Sequence, residues 1–224
     1  MGEIIVALNT NNRDEAIHWV KTLKEHARIF KIGLPLFTMY GPAIVGEIRD
    51  LGVEIFLDMK LHDIPSVIGK TIESLRNLEV KFVTIHLSGG KEMAGAALDA
   101  AEGRIEIIGV TVLTSIGKEE FQRLYSSDLE ETVKRMVEAF VEIGGKNIVL
   151  SGQEAPLIKK LFDVRVFVPG IRPKVEGKED QSRVVTPSFA RQNKFDYIVV
   201  GRPITHSDDP VKSYLEIKRE FNGT

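Results

Sequence analysis

Residues 55–65 read Ile-Phe-Leu-Asp-Met-Lys-Leu-His-Asp-Ile-Pro, an apolar run that ends in the charged side chains Asp58, Lys60 and Asp63. If this run forms a strand, side chains two positions apart project to the same face, so Asp58 and Lys60 point the same way as Phe56. Such a face is buried at one end and carries charged groups at the other. Taken alone, the pattern is typical of an ion pair at a strand end, and its meaning depends on the rest of the chain.

Runs rich in Val, Ile and Phe alternate along the whole chain with longer segments of helical periodicity. The runs are mostly continuous rather than strictly alternating, which is typical of parallel strands covered on both faces. The predicted strands are Ile4–Leu8, Ile29–Ile32, Glu54–Leu57, Phe82–His86, Ile105–Leu113, Asn147–Leu150, Arg165–Val168 and Tyr197–Val200. The predicted helices are Asp14–His26, Gly41–Leu51, Pro65–Leu78, Gly90–Glu102, Leu129–Ile143, Gln153–Phe162, Pro187–Gln192 and Pro210–Phe221. Eight such units predict an α/β fold, a (β/α)8 TIM barrel made by a single domain over residues 1–224, with a doubly wound open sheet as the structural alternative.

The composition is that of a globular protein, with 43% hydrophobic and 28% charged residues, which suffices for a full core. A net charge of −2 gives no reason to expect nucleic acid or an anionic membrane surface as a partner. The absence of cysteine excludes disulfides and thiolate chemistry. The N-terminal apolar run is too short for a signal peptide, and no stretch is long enough to cross a bilayer, so we expect a cytoplasmic protein.

Two glycine–arginine turns follow the last two predicted strands. Pro169-Gly170-Ile171-Arg172-Pro173 comes after the seventh strand, and Gly201-Arg202-Pro203 comes after the eighth. In a (β/α)8 barrel these two loops often hold a phosphate, because glycine lets backbone N–H groups approach an anion and arginine offers a planar set of donors. One such turn is ordinary, whereas two at these positions favour a phosphate site.

Lys31 lies on the second predicted strand and joins the charged residues of the opening stretch. Lysines and aspartates in alternation can share one cluster without net charge, and the carboxylates then hold Lys60 protonated. A fixed ammonium can deliver a proton to a developing carbanion, and a carboxylate beside it disfavours a substrate carboxylate. His62 could bind a metal, but no second histidine stands at ligand spacing, so we expect no metal.

Taken together, these motifs resemble those of the orotidine 5′-phosphate decarboxylases over nearly the whole chain. The matching segments are Lys31-Ile32-Gly33, Asp58-x-Lys60-x-x-Asp63-Ile64-Pro65, Val112-Leu113-Thr114-Ser115, Pro169-Gly170-Ile171-Arg172-Pro173, Asp180-Gln181 and Val200-Gly201-Arg202-Pro203. The resemblance implies decarboxylation of orotidine 5′-monophosphate to uridine 5′-monophosphate without cofactor or metal. It also implies a homodimer in which each site lies near the interface.

The resemblance also assigns roles to individual residues. It implies that Lys60 donates a proton to C6 of the pyrimidine and that Asp58 lies near the departing carboxylate. Asp63 and Ile64 would come from the neighbouring subunit, with Asp63 completing the charge array. The other substrate-binding positions are Lys31 and Asn9 at the ribose, Thr114 at the pyrimidine, Gln181 bridging base and phosphate, Arg172, Gly201 and Arg202 at the phosphate, and Pro65 and Val67 beside Ile64.

Two positions depart from the family pattern and leave alternatives open. The family favours aspartate where this chain has Asn9 and threonine where it has Val67. One alternative is a Mg²⁺-dependent relative acting on a phosphorylated sugar acid, which predicts an acidic ligand where this chain has Lys31. The others are a catalytically inactive phosphate-binding or regulatory protein, and an unrelated barrel enzyme that shares only the phosphate site. The polar segment from Ile171 to Arg183, which contains Gln181, has the composition of a lid or of a mobile loop.

Overall fold

Eight parallel strands close into a barrel in a computed structural model, which describes residues 2–173 and 184–223. Each strand pairs with its neighbours in sequence order, and β1 pairs with β8 to complete the ring. Closure excludes the doubly wound open sheet and confirms the predicted (β/α)8 barrel. The strands are β1 (Glu3–Leu8), β2 (Ile29–Gly33), β3 (Glu54–Leu61), β4 (Phe82–His86), β5 (Glu106–Val110), β6 (Asn147–Val149), β7 (Arg165–Val168) and β8 (Tyr197–Val200).

Helices cover the outside of the ring, and the apolar residues between strands and helices form the larger of two buried clusters. Several helices begin at the capping signals that the sequence carries. The side chain of Asn12 accepts hydrogen bonds from the N–H groups of Asp14 and Glu15, and Asp128 and Asp209 cap later helices in the same way. The helices are α1 (Arg13–Leu23), α2 (Leu34–Arg49), α3 (Pro65–Arg76), α4 (Gly90–Ala101), α5 (Lys118–Tyr125), α6 (Leu129–Val141), α7 (Ala155–Leu161), α8 (Pro187–Gln192), α9 (Arg202–Thr205) and α10 (Pro210–Asn222), with a 3-10 turn at Leu87–Gly89.

Three helical segments differ from the prediction. The helix predicted from Gly41 begins earlier, at Leu34, because two helical pieces join at Gly41, whose φ of 58° and ψ of −149° suit only glycine. The sequence pattern missed α5, which is only eight residues long, mostly polar, and buries only Phe121. It also missed α9, which is too short to show a helical period.

The barrel interior holds the second, smaller buried cluster. Four aromatic rings fill its lower half: Phe56 and Phe82 meet edge to face at 6.0 Å, and Phe167 stacks on Tyr197 at 4.2 Å. Phe56 also lines the cavity above, so the packed rings form the floor of the site. Within the described residues, no helix combines the length and apolar character needed to cross a membrane.

Candidate active site

A cavity of about 250 Å³ opens at the C-terminal ends of the strands. Chain closure brings side chains from every part of the sequence to this one mouth, because the strands are parallel and their ends meet. Phe56, Val110 and Val199 give it an apolar base, while charged and polar groups line the upper wall. The predicted site residues that the structure places in this wall are Asn9, Lys31, Asp58, Lys60, Thr114, Arg172, Gly201 and Arg202.

A lysine–aspartate–lysine cluster lies at the centre of the wall. The Nζ atom of Lys60 donates to Oδ1 of Asp58 at 2.8 Å, and Nζ of Lys31 lies 3.0 Å from Oδ2 of the same carboxylate. Only 12% of the Asp58 and Lys31 side chains is exposed, and 33% of Lys60. Each oxygen of the Asp58 carboxylate therefore contacts one ammonium group. Of the three side chains, Lys60 is the most exposed.

The cluster fixes the protonation state of its carboxylate. Burial by itself raises the pKa of Asp58, but the charges of Lys31 and Lys60, together with their hydrogen bonds, outweigh it and hold the pKa well below its usual range. Asp58 is therefore ionised at all physiological pH values, and each lysine keeps a negative partner at hydrogen-bond distance.

The backbone at Lys60 is unusual for a strand. Its φ is +48°, in the left-handed region that costs a residue with a side chain about 1–2 kcal/mol. The pairing of β3 with β4 shifts register between Leu57 and Leu61, so the strand bulges where it carries Asp58 and Lys60. The two side chains meet, as the simple alternation of a strand predicts, but through a bulge rather than through regular β geometry.

Thr84 was not singled out from the sequence, yet it contacts both members of this pair. It is fully buried in the middle of β4, where its hydroxyl accepts a hydrogen bond from the Lys60 backbone N–H at 2.8 Å. The same hydroxyl donates to Oδ1 of Asp58 at 3.0 Å. The signal that marks it is a polar residue within the apolar run Phe82–His86.

The two glycine–arginine turns follow the neighbouring strands β7 and β8 and line the same cavity as the cluster. After β7, Gly170 has a φ of +74°, and the chain is held by hydrogen bonds between Gly170, Arg172 and Val185 of 3.0–3.1 Å. After β8, Gly201 approaches Asn9 so closely that an added Cβ would lie 3.2 Å from Nδ2 of Asn9. Both arginines line the cavity, so the turns provide cationic groups and glycine backbone at one end of it.

Four predicted site residues lie outside the wall of their own cavity. Among the described residues, that wall does not include Asp63, Ile64, Pro65 or Val67. Asp63 is exposed at the start of α3, and its Oδ1 accepts the Ile64 N–H at 2.7 Å. Ile64 and Val67 are 62% and 40% exposed, which is high for apolar side chains beside a charged cavity. All four residues lie together, just before and within the first turn of α3. Gln181 lies outside the described residues.

His62 and His86 form a pair near Lys60. The Ser88 hydroxyl is 2.7 Å from Nδ1 of His86 and 3.3 Å from Nε2 of His62, and the two rings are 5.6 Å apart. Burial first, and then the charges of His62 and Lys60, lower the pKa of His86, so its ring is neutral at pH 7. In residues 2–173 and 184–223, no three His, Asp or Glu side chains are grouped so that they could hold a metal ion.

Comparison with known proteins gives consistent matches over nearly the full length. The family model described as "Orotidine 5'-phosphate decarboxylase / HUMPS family" matches residues 2–217. The chain is 39% identical to an orotidine 5′-phosphate decarboxylase of Wolbachia pipientis, covering 95% of this chain and 96% of that protein. It is 38% identical to the protein of the same name from Methylacidiphilum infernorum, with 98% and 97% covered. A crystal structure of orotidine 5′-phosphate decarboxylase from Lactobacillus acidophilus superposes with a TM-score of 0.87 at 29% identity, over 99% of this chain and 100% of that one.

Proposed function

Because the chain belongs to the orotidine 5′-phosphate decarboxylase / HUMPS family, we propose that the cluster of Lys31, Asp58 and Lys60 performs its reaction. That reaction is the decarboxylation of orotidine 5′-monophosphate to uridine 5′-monophosphate and CO2, the last step of de novo UMP synthesis. In it, the bond between C6 and the carboxylate breaks, the electron pair stays on C6, and one proton replaces CO2.

Lys60 is the proposed donor of that proton. The observation that carries this assignment is the 2.8 Å contact between its Nζ and Asp58, on the most exposed side of the cluster and in the cavity wall. The ammonium is held in place before substrate arrives, so no reorganisation is needed when negative charge develops on C6. After the transfer, the neutral amine recovers a proton from solvent.

Asp58 is the proposed source of ground-state repulsion. A substrate carboxylate placed beside it at about 4 Å would experience roughly 4 kcal/mol of repulsion at an effective dielectric near 20. That repulsion disappears when neutral CO2 leaves, whereas the attraction between Lys60 and the carbanion grows. The carboxylate therefore favours the transition state over the bound substrate, provided that other contacts hold the substrate in place.

The remaining parts of the nucleotide supply those contacts. We assign the phosphate to Arg172, Gly201 and Arg202, because they line the cavity on the turns that follow the neighbouring strands β7 and β8. Asn9 and Lys31 are assigned to the ribose and Thr114 to the pyrimidine. The phosphate does not react, yet binding it fixes the position of C6 against Lys60, so its binding energy lowers the barrier at a remote atom. Gln181 stays a prediction as the bridge between base and phosphate.

A homodimer is the proposed working form, in the cytoplasm, with Asp63 of each subunit completing the neighbouring site. Two observations support the dimer: Asp63 lies outside its own cavity, and the apolar side chains of Ile64 and Val67 are exposed next to it. Covering these side chains with a second copy would remove apolar surface from water. Asp63 would then be the second carboxylate of a cluster with two ammonium groups.

The test follows the ultraviolet absorbance of orotidine 5′-monophosphate on addition of enzyme. We expect Lys60→Ala to abolish turnover almost completely. Lys81→Ala is the matched control, because Lys81 also lies at a strand and pairs with a carboxylate, Glu54, at 2.7 Å, but at the opposite end of the barrel. Near-normal turnover by Lys60→Ala would refute the assignment. Added chelator should leave the rate unchanged, and loss of activity would favour the metal-dependent alternative.

A further inference from the structure

Strand β3 has two more residues than β4 in the stretch that carries Asp58 and Lys60, and Thr84 of β4 contacts both of these residues. The register is Leu57 against Val83 and then Leu61 against Ile85, so β3 advances four residues while β4 advances two. The backbone N–H of Lys60 falls within this bulge, where the regular ladder between the strands is interrupted. An interior N–H without a partner is costly, so the bulge needs a substitute acceptor.

The Thr84 hydroxyl is that acceptor. It lies 2.8 Å from the Lys60 nitrogen, and the Thr84 side chain is fully buried. Because the φ of +48° at Lys60 costs about 1–2 kcal/mol, this hydrogen bond helps to keep the backbone in the bulged state. The direction in which the lysine side chain leaves the strand depends on that state.

The same hydroxyl also holds the partner of the ammonium. A hydroxyl has one proton and two lone pairs, so accepting from Lys60 leaves the proton available for Asp58, whose Oδ1 lies 3.0 Å away. Oδ1 thereby receives both the Thr84 hydroxyl and the Lys60 ammonium, while Lys31 holds Oδ2. One buried oxygen thus connects the backbone of the lysine with the carboxylate that orients its side chain.

We propose that Thr84 is a positioning residue for the decarboxylation, acting through Lys60 and Asp58. This proposal rests on the proposed function of Lys60 as proton donor. Thr84 is absent from the cavity wall among the described residues, so it does not act on the substrate directly. Its effect should therefore fall on the chemical step, because a displacement of about 1 Å at a reacting group can slow that step by about 100-fold.

The decisive variant is Thr84→Val, which keeps the branched shape and removes only the hydroxyl. We expect kcat to fall by about 100-fold and KM to change little, because Thr84→Val leaves the proposed phosphate-binding residues Arg172 and Arg202 unchanged. Thr84→Ser retains the hydroxyl and should recover most of the rate. Thr111→Val is the matched control, since Thr111 is equally buried but its hydroxyl donates to the Val149 carbonyl, away from the cluster.

The same measurements with Lys60→Ala distinguish the two proposals. If Thr84 acts through Lys60, the double variant Lys60→Ala/Thr84→Val should have nearly the same residual kcat as Lys60→Ala alone. Normal kcat in Thr84→Val, equal losses in Thr84→Ser and Thr84→Val, or an equal loss in Thr111→Val would each overturn the positioning role. Near-normal turnover by Lys60→Ala would instead overturn the proposed function itself. If Thr84→Val does not fold, Thr84→Ala is compared with Thr84→Ser under the same criteria.

Discussion

Mixing two inactive variants should restore activity if Asp63 serves the neighbouring site. Lys60 lines the cavity of its own chain and Asp63 does not, so Lys60→Ala damages the site of the chain that carries it, whereas Asp63→Asn damages the site of the partner chain. In a heterodimer, one site then carries both changes and the other carries neither. Random exchange of subunits gives one half heterodimers, so we expect roughly a quarter of all sites to be intact. The assay is the absorbance change of orotidine 5′-monophosphate, measured after an equimolar mixture has been incubated long enough for exchange.

The matched control mixes Lys60→Ala with Asp58→Asn. Both changes lie in the cavity of their own chain, so every site of the heterodimer carries one of them and activity should stay at the level of the parents. Heterodimer formation is checked by co-purification of differently tagged chains. If tagged heterodimers form and the Lys60→Ala and Asp63→Asn mixture gains nothing, or if Asp63→Asn alone is fully active, the shared-site reasoning is wrong.

Three further predictions concern the substrate and the charge cluster. Arg202→Ala should raise KM for orotidine 5′-monophosphate by about 10–100-fold, since a charge-assisted hydrogen bond contributes about 1.5–3 kcal/mol. An unchanged KM in steady-state kinetics would contradict this prediction. Asn9→Asp should lower KM, because a carboxylate accepts hydrogen bonds from ribose hydroxyls more strongly than an amide does. Lys31 is near enough to balance the added charge, since a Cβ built on Gly33 would lie 3.5 Å from Nζ of Lys31 and 3.9 Å from Oδ1 of Asn9. The pKa of Asp58 is lower in the folded state than the value of about 3.9 in the unfolded chain, so the ionised carboxylate stabilises the fold above that pH and this stabilisation is lost as the pH falls below it. The free energy of unfolding in urea should therefore depend less on pH in Asp58→Asn than in the parent over that acidic range.

The barrel was predictable because its signals are local and repeated. Each strand is a short apolar run, and a run such as Tyr197–Val200, four residues rich in β-branched side chains, favours a strand over a helix. The helix Lys118–Tyr125 was missed for the complementary reason, because it buries one residue and most of its length is polar. Similarly, the break at Gly41 depends on one backbone conformation that periodicity does not encode.

The candidate site was predictable only in part. Some of its residues can be recognised from their position in the sequence, whereas others depend on how neighbouring strands pair. Lys31 and Asp58 follow from the position of charged residues at strand ends, and in the structure they lie 3.0 Å apart. The bulge at Lys60 follows from no local pattern, since lysine has no preference for a positive φ and the extra residues are defined only relative to β4. Thr84 could not be recognised for the same reason, because its contacts are with Lys60 and Asp58 on the neighbouring strand. A single threonine in an apolar run is common in buried strands and does not by itself indicate a functional residue.

The charge of the cluster gives a physical reason for the proposed second subunit. Within one chain, Lys31 and Lys60 bring two positive charges and Asp58 brings one negative charge, all largely buried. A net positive cluster would attract the carboxylate of the substrate and stabilise it before reaction, which lowers KM without accelerating the chemical step. A partner's carboxylate at the position proposed for Asp63 would cancel that excess. The ground-state attraction then falls, while Lys60 keeps its direct contact with the charge that forms on C6. On this reasoning, the proposed second subunit would contribute selectivity for the transition state, because its Asp63, which lies outside the cavity of its own chain, would supply the missing negative charge.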